Sequence, residues 1–400
     1  MLSFFSASAR SANTDRAVSD CVDTLRESGL PEGPVCLIIK ATLGHPLDRI
    51  AASIRQRLPQ ATLLGSSCSG VTGRHGVGES MHDIALMAIS GGPSEWNWAS
   101  VADIRGDNAA EKGQALARSL RESVPDATAI YLLCPGIDIA NDRVLEAFDR
   151  EFGGDIVIFG GTSSDTMRGV ASYQYTNDRI AEHSAWAIAF SDPTLTAFTR
   201  ATHGFSAYGE PLVVTRAHGH RIFEFDGKPA WQEYTARLGV SPEPDTCCHT
   251  TIPIGALAEE LPKAVADEYG NTHILRVITR YDGDGTVYFP VTCEAGLKLW
   301  LTTRDEALIF SEQERSLDYL GSMIGGRRPV AVFQTDCLAR GRFLFNRVVK
   351  DEIMGMMHSA FTRDGEIPPW IGMYGFGEYA RLDNRNTYHN YSTALMVLCR

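Results

Sequence analysis

Trp370-Ile-Gly-Met-Tyr-Gly-Phe-Gly-Glu378, a polar Asp383-Asn-Arg-Asn-Thr387 break, and Tyr388-His-Asn-Tyr-Ser-Thr-Ala-Leu-Met-Val-Leu-Cys399 form one continuous passage near the C-terminus. Aromatics alternate with glycines before Glu378, and β-branched and apolar residues run on after Asn390, which predicts two β-strands joined by a loop. Strands normally reject glycine, so Gly372, Gly375 and Gly377 imply that another backbone or a flat ligand approaches this surface closely. Glu378 and His389 fall where the strands meet the loop. An imidazole beside a carboxylate on rigid strands is what a small-molecule site needs. The plain alternative is that the two side chains satisfy each other or nearby amides.

Working outward, 400 residues exceed one ordinary core and imply two or three units. A formal net charge of −12, with no run of Lys and Arg, excludes a nucleic-acid partner. No apolar run approaches the ~20 residues that span a bilayer, so no membrane role is expected. The opening Met1-Leu-Ser-Phe-Phe-Ser-Ala-Ser-Ala-Arg10 lacks the basic start and full apolar segment of an export signal, and the expected location is the cytoplasm. Nine cysteines without framework spacing fit reduced thiols packed as small hydrophobes.

The N-terminal half reads as alternating α/β. Asn13 offers N-cap chemistry for a helix carrying Val18, Cys21, Val22 and Leu25, and Val35 to Ile39 is a strand buried on both faces. A helix after Pro46 and a strand at Ala61 to Leu64 follow, ending in Gly65-Ser-Ser-Cys-Ser-Gly70. The same order returns with Ile130 to Cys134, a helix carrying Val144, Leu145 and Phe148, and Asp155 to Phe159 ending in Gly160-Gly-Thr-Ser-Ser-Asp165. Residues 1 to 200 are thus read as an internal strand-helix-strand duplication. Ligands gather beyond the C-terminal ends of strands in such sheets, so the two Gly-Ser/Thr loops are site candidates. Beyond Leu195 the pattern turns β-rich, Ser241-Pro-Glu-Pro-Asp245 reads as a linker and hinge, and a second α/β unit follows. The expected fold is therefore α/β with mixed sheets, in two α/β domains over residues 1–220 and 221–400.

Several reaction classes lose their motifs: there is no Walker loop, no His-Glu-x-x-His and no pair of Cys-x-x-Cys knuckles. Gly65-Ser-Ser-Cys-Ser69 differs from a nucleophile elbow at its fifth position, and the text after it opens no helix. Gly73-Arg-His-Gly-Val-Gly78 is read as a mobile flap. His218 and His220 alternate and would face one side as a metal pair, and Cys247-Cys248-His249 is a soft-ligand cluster. Cys134 is the sort of thiolate a haem iron could accept.

These passages together resemble the FIST family of two-domain bacterial sensory proteins. The N-terminal pattern is carried by Leu64 to Gly70, Phe159 to Asp165, His203-Gly204, Val213 to His218 and Glu224 to Ala230. The C-terminal one is carried by Phe333 to Cys337 with Arg340, by Gly372 to Glu378, and by Tyr388-His389-Asn390. The resemblance implies sensing rather than catalysis, with a small-molecule ligand and a separate signalling partner such as a histidine kinase. Chains of this size in the family include the nitric-oxide-sensing haem proteins called NosP. In that form a non-covalent b-type haem would be held by His389, with His203 and His249 as runners-up. The alternative is an amino-acid sensor in which Arg340 clamps a carboxylate and Glu378 or Asp165 meets the ammonium. A thiol hydrolase or transferase using Cys68 or Cys337 with His389 stands behind both. Candidate ligand-binding residues are Ser67, Cys68, Gly161, Thr162, Asp165, Arg340, Tyr374, Glu378, His389 and Asn390. A homodimer is expected from how often signalling proteins pair.

Overall fold

The computed structural model describes residues 1–166, 168–177, 179–242, 256–341 and 345–400. It is a mixed α/β fold, and its strand-helix-strand text is written three times. The first copy runs β1 (Ser3–Arg10), α1 (Thr14–Glu27), β2 (Cys36–Thr42), α2 (Leu47–Arg57), β3 (Thr62–Cys68), a hairpin of β4 (Val71–Gly73) and β5 (Gly76–Gly78), and β6 (Asp83–Ser90). The second runs β7 (Trp96–Val101), α3 (Ala109–Ser123), β8 (Ala129–Cys134), α4 (Asn141–Phe152), β9 (Val157–Thr162), a hairpin of β10 (Gln174–Thr176) and β11 (Arg179–Ala181), and β12 (Ala185–Phe190).

The third copy begins with β13 (Thr196–Thr202) and is then interrupted. The insertion holds β14 (Phe205–His218), β15 (Arg221–Phe225), β16 (Lys228–Pro229), α5 (Ala230–Leu238), β17 (Leu257–Glu260), α6 (Lys263–Tyr269), β18 (His273–Arg276), β19 (Arg280–Tyr281), β20 (Val287–Tyr288) and β21 (Lys298–Arg304). Its strands form a sheet of their own. The copy resumes with α7 (Glu306–Ile324), β22 (Pro329–Cys337), α8 (Arg347–Phe361), β23 (Trp370–Gly375), a hairpin of β24 (Glu378–Leu382) and β25 (Arg385–His389), and β26 (Thr393–Cys399). The closing passage is thus four strands rather than two. Of the predicted loop at 383–387 only Asp383 and Asn384, both at positive φ, turn the chain, and β25 begins at Arg385.

Each copy builds one sheet in the same order, and each sheet is completed by a hairpin from another copy. β10–β11 pairs with β3, β24–β25 pairs with β9, and β4–β5 pairs with β23. The Gly73 to Gly78 text is therefore a hairpin seated on a sheet, not a flap. Chain from both sides of position 220 shares these sheets, since β13 pairs with β26.

Glycine marks the strand on which each hairpin seats. Gly65, Gly160 and Gly372 occupy matching positions opposite Ile39, Leu132 and Gln334, and across them lie Tyr175, Tyr379 and Thr72 of the incoming hairpins. A Cβ at Gly372 would come within 2.0 Å of Thr72 Oγ1, and one at Gly160, where φ is +120°, within 2.1 Å of the Leu132 carbonyl oxygen. The close backbone approach expected around Gly372 is therefore made by the chain itself.

The inner faces of the three sheets share one core, with Ile38, Leu64 and Met87 from the first copy, Tyr131, Phe159 and Trp186 from the second, and Phe333, Met373 and Met396 from the third. Helix pairs cover the outer faces. Strands buried on both sides need continuous apolar text, which is what β2 and β8 supply. Caps hold the helix starts: the side chains of Asn13, Asp305 and Asn346 each accept a main-chain N–H at 3.0 Å. One cation lies in the shared core. Lys40 Nζ donates to Ser66 Oγ at 3.1 Å beneath the rings of Tyr131 and Trp186, and burial lowers its pKa to about 7.

Gly160→Ala is expected to lower stability by roughly 2 kcal/mol or more, since it adds a backbone clash to an unfavourable φ. Chemical denaturation measures it; an unchanged midpoint contradicts the glycine requirement.

Candidate functional site

Five of the residues singled out above meet at one joint between the copies. Ser67 Oγ donates to the Ser164 carbonyl at 2.8 Å, and Ser164 Oγ donates to the Tyr374 carbonyl at 2.6 Å. Thr162 N–H donates to the Gly377 carbonyl at 2.9 Å, while Gly161 lies opposite Glu378 in the β9–β24 ladder. Ser67, Gly161, Thr162, Tyr374 and Glu378 are all buried. The two Gly-Ser/Thr tracts are strands and strand ends knitted to each other rather than open loops. Cys68 is equally enclosed, and burial pushes its thiol up to about 12, which keeps it protonated; Cys337 is raised by the same cause. Neither thiol is set up as a nucleophile.

Beside the joint lies a buried polar knot. Arg340, 2% exposed, donates from Nη1 to the His203 carbonyl at 2.8 Å. Burial raises the carboxyl pKa of Asp336 and, well above its usual range, that of Glu378, while Arg340 opposes both shifts. Glu378 accepts from Ser392 Oγ at 2.7 Å, so Glu378 and His389 do not satisfy each other. Asn390 donates to the Phe376 carbonyl and the Tyr388 hydroxyl at 3.2 and 3.1 Å. Arg340 Nη1 thus holds main chain beside two buried carboxyls, while Arg340 Nε, Asp336 Oδ1 and Glu378 Oε1 have no hydrogen-bond partner among the described residues. Asp165 is committed too: its carboxylate accepts N–H groups of Arg168, Gly169 and Val170 at 2.8, 3.1 and 2.8 Å, shaping the loop after β9.

Neither His389 nor His203 is set up to hold a haem. His389 is 0% exposed on β25, with Nδ1 3.5 Å from the Tyr269 hydroxyl and the two rings 5.8 Å apart. Burial and then Arg276 lower its pKa to about 3. A neutral imidazole suits iron, but these packed neighbours leave no space for a porphyrin. Both ring nitrogens of His203 are engaged, Nδ1 accepting from Phe205 N–H at 3.0 Å and Nε2 donating to the His273 carbonyl at 2.9 Å. Cys134 is buried with its thiol raised to about 12 by that burial. His218 and His220 do not share a face: His218 is exposed, whereas His220 is 4% exposed beyond a turn at Gly219. Cys247, Cys248, His249 and most of the 241–245 linker lie outside the described residues.

The accessible chemistry lies above the joint, at the C-terminal end of β8. Two cavities of about 310 and 270 Å³ share Ile137, Asp138, Gly169 and Arg280. One wall is the loop shaped by Asp165, and the other is the inserted sheet. Asp138 holds φ +53° and His183 φ +52°, conformations that L residues adopt at a cost and that recur at functional sites. His220 Nε2 stands 3.7 Å from Asp138 Oδ1, and Arg105 Nη1 stands 3.9 Å from Asp138 Oδ2 and 2.8 Å from His183 Nε2. The Arg280 guanidinium lies 3.8 Å from the centre of the Tyr288 ring. His220 foremost, then Arg280 and His183, hold the Asp138 carboxyl below its ordinary range against the opposing effect of burial.

The rule that ligands gather beyond strand C-terminal ends pointed to this end of the sheet. It did not single out Asp138, His183, Arg105 or Arg280, because the last wall comes from an insertion joined to β8 only by folding. Among the described residues no group of three or more His, Cys, Asp or Glu side chains is placed to hold a metal ion, and no helix is long and apolar enough to cross a membrane.

Residues 35–228 match the FIST N domain and residues 230–381 match the FIST C domain. The chain belongs to the FIST family. FIST domains are small-ligand sensor domains, and this chain carries both. It is 23% identical over 376 residues to the uncharacterized protein Rv0628c of Mycobacterium tuberculosis, covering 90% of this chain and 94% of that one. It is 23% identical over 392 residues to the uncharacterized protein Mb0898c of Mycobacterium bovis, covering 96% and 95%. Among solved structures it is similar to a cyanuric acid hydrolase of A. caulinodans, with a TM-score of 0.40 and 8% identity over 100% of this chain and 99% of that one. That likeness is too slight to transfer a function.

A His389 that stays neutral when buried binds fewer protons than its unfolded counterpart between pH about 6.5 and about 3, so this FIST protein loses stability as pH falls through that window. The loss from this group is at most roughly 1.4 kcal/mol per pH unit. Denaturation of wild type and His389→Gln between pH 7 and about 5 reads it: the difference between them should shrink with acid, and a constant difference contradicts the buried neutral state.

Proposed function

We propose that this FIST protein senses a small zwitterion of the amino-acid class, bound in the cleft around Asp138. The observation that carries the reading is the meeting of two carboxylates, Asp138 and Glu182, with two guanidinium groups, Arg105 and Arg280, in the walls of a pair of joined cavities. Asp138 is the partner for an ammonium group. Arg280, with Arg105 behind it, offers the planar fork that takes a carboxylate through two parallel bonds. Tyr288 and Ile137 supply the apolar wall for a side chain. This keeps the amino-acid reading but moves it off Arg340, Glu378 and Asp165, which are buried and hold main chain or neighbouring side chains, to a cleft with open walls.

The ligand bridges the second copy and the inserted sheet, so its binding favours whichever arrangement of those two parts closes the cleft. Such a change of population is what a separate signalling partner, such as a histidine kinase, would read. Haem does not enter this reading, because His389 and His203 are enclosed by packed neighbours and His249 lies outside the described residues.

Thermal-shift screening of the twenty standard amino acids, followed by calorimetry, tests the proposal. At least one should bind, and Asp138→Asn and Arg280→Ala should each weaken it by about 10-fold or more while leaving the fold intact. Unchanged affinity in both variants, or no binding by any amino acid, overturns it.

A further inference from the structure

A second concentration of positive charge lies at the other end of the third sheet. A groove of about 370 Å³ beside β1, at the start of β22, has Arg74, Arg328, Arg363 and Arg400 in its walls and one carboxylate side chain, Glu366. That is the reverse of the chain's overall balance of −12. It is separated from the cleft by the length of β22, roughly 25 Å for nine residues of extended chain.

The four arginines are unequally neutralised. Arg74, half-buried at the tip of the β4–β5 hairpin, has no hydrogen-bond or ion-pair partner among the described residues. Arg328 is 61% exposed and meets Asp364 and Glu366 only at 3.9 Å, both of them 75% exposed or more, which is the weak, screened kind of pair. Arg363 gives Nη1 to the carbonyls of Ala360 and Thr362 and pairs with no carboxylate among the described residues. Only Arg400 has a close acid, Asp192 at 3.0 Å. Between these cations the wall is apolar, formed by Phe5, Val330, Ile367 and Pro369.

We propose that this groove binds a small organophosphate with an aromatic or apolar body, of the nucleoside monophosphate class. Arginine forks match phosphate oxygens, and an unpaired guanidinium gives up no existing bond on binding. The half-buried Phe5 offers a face for the body of the ligand. A compact dianion fits within the reach of the local field, roughly 8 Å at physiological salt. A long polyanion would extend over the acidic remainder of the surface, so nucleic acid is disfavoured.

Calorimetry with AMP and with inorganic pyrophosphate, on the full chain at low and at raised salt, tests this site. AMP should bind more weakly as salt rises. Arg74→Glu should lose about 10-fold or more in affinity, and Arg74→Lys should retain part of it. Arg74 supports no other group, so its variants should fold; Arg328→Ala supplies an independent variant with the same expected loss. Asp138→Asn should leave AMP binding unchanged, which separates this site from the amino-acid cleft. Absent AMP binding at low salt, undiminished binding in both Arg74→Glu and Arg328→Ala, or pyrophosphate binding as tightly as AMP would each overturn the organophosphate assignment. So would binding confined to a phosphorylated peptide.

Discussion

The fold depends on strands approaching so closely that only glycine fits. At Gly65 and Gly160 a Cβ would meet the carbonyl of the neighbouring strand of the same copy, and at Gly372 the Thr72 hydroxyl of the hairpin from the first copy; the six hydrogen-bonded strands of each sheet are complete only with a borrowed pair. No copy closes its own sheet. Three sheets tied in this way must face one another, which is why their inner faces bury a single apolar core and their outer faces each need a helix pair. The order in which hairpins pass between copies makes a closed ring: second to first, third to second, first to third.

Much of this was legible in the sequence, and the exceptions have physical reasons. The continuous apolar runs of β2 and β8 mark the first two copies directly, with the helix starts at Asn13 and Pro46 adding to the first. The third copy stayed hidden because about a hundred residues of inserted sheet separate β13 from α7, and because its glycine strand reads as aromatic text rather than as Gly-Ser. The glycine-rich passage at 372–377 is read as a place where something comes close, and those at 65–70 and 160–165 as loops where ligands gather. What comes close is the chain's own backbone. Periodicity reports a tight approach without reporting the identity of the neighbour, and the residues it marked form a buried joint.

The same logic explains why the accessible chemistry escaped the sequence. Asp138 follows a strand end, His183 precedes β12, and Arg280 and Tyr288 belong to the insertion, so no spacing in the chain links them. Positive φ at Asp138 and His183 is a property of the folded backbone and leaves no trace in composition. The glycines and apolar runs, which serve folding, were the readable part. Charges placed by an insertion were not. A rigid threefold core with a separately built sheet docked at one end is a sound arrangement for sensing, because the ligand contacts both parts and the core has little freedom to follow.

Hydrogen–deuterium exchange of the whole chain, with and without the tightest-binding amino acid, tests the central claim most directly. The account predicts slower exchange at residues 136–139, 168–171 and 278–281, which converge on the Asp138 cleft from three parts of the chain, with the core strands unchanged. Protection centred instead on 388–391 around His389, with those three segments unaffected, would place the ligand in the buried knot and contradict it.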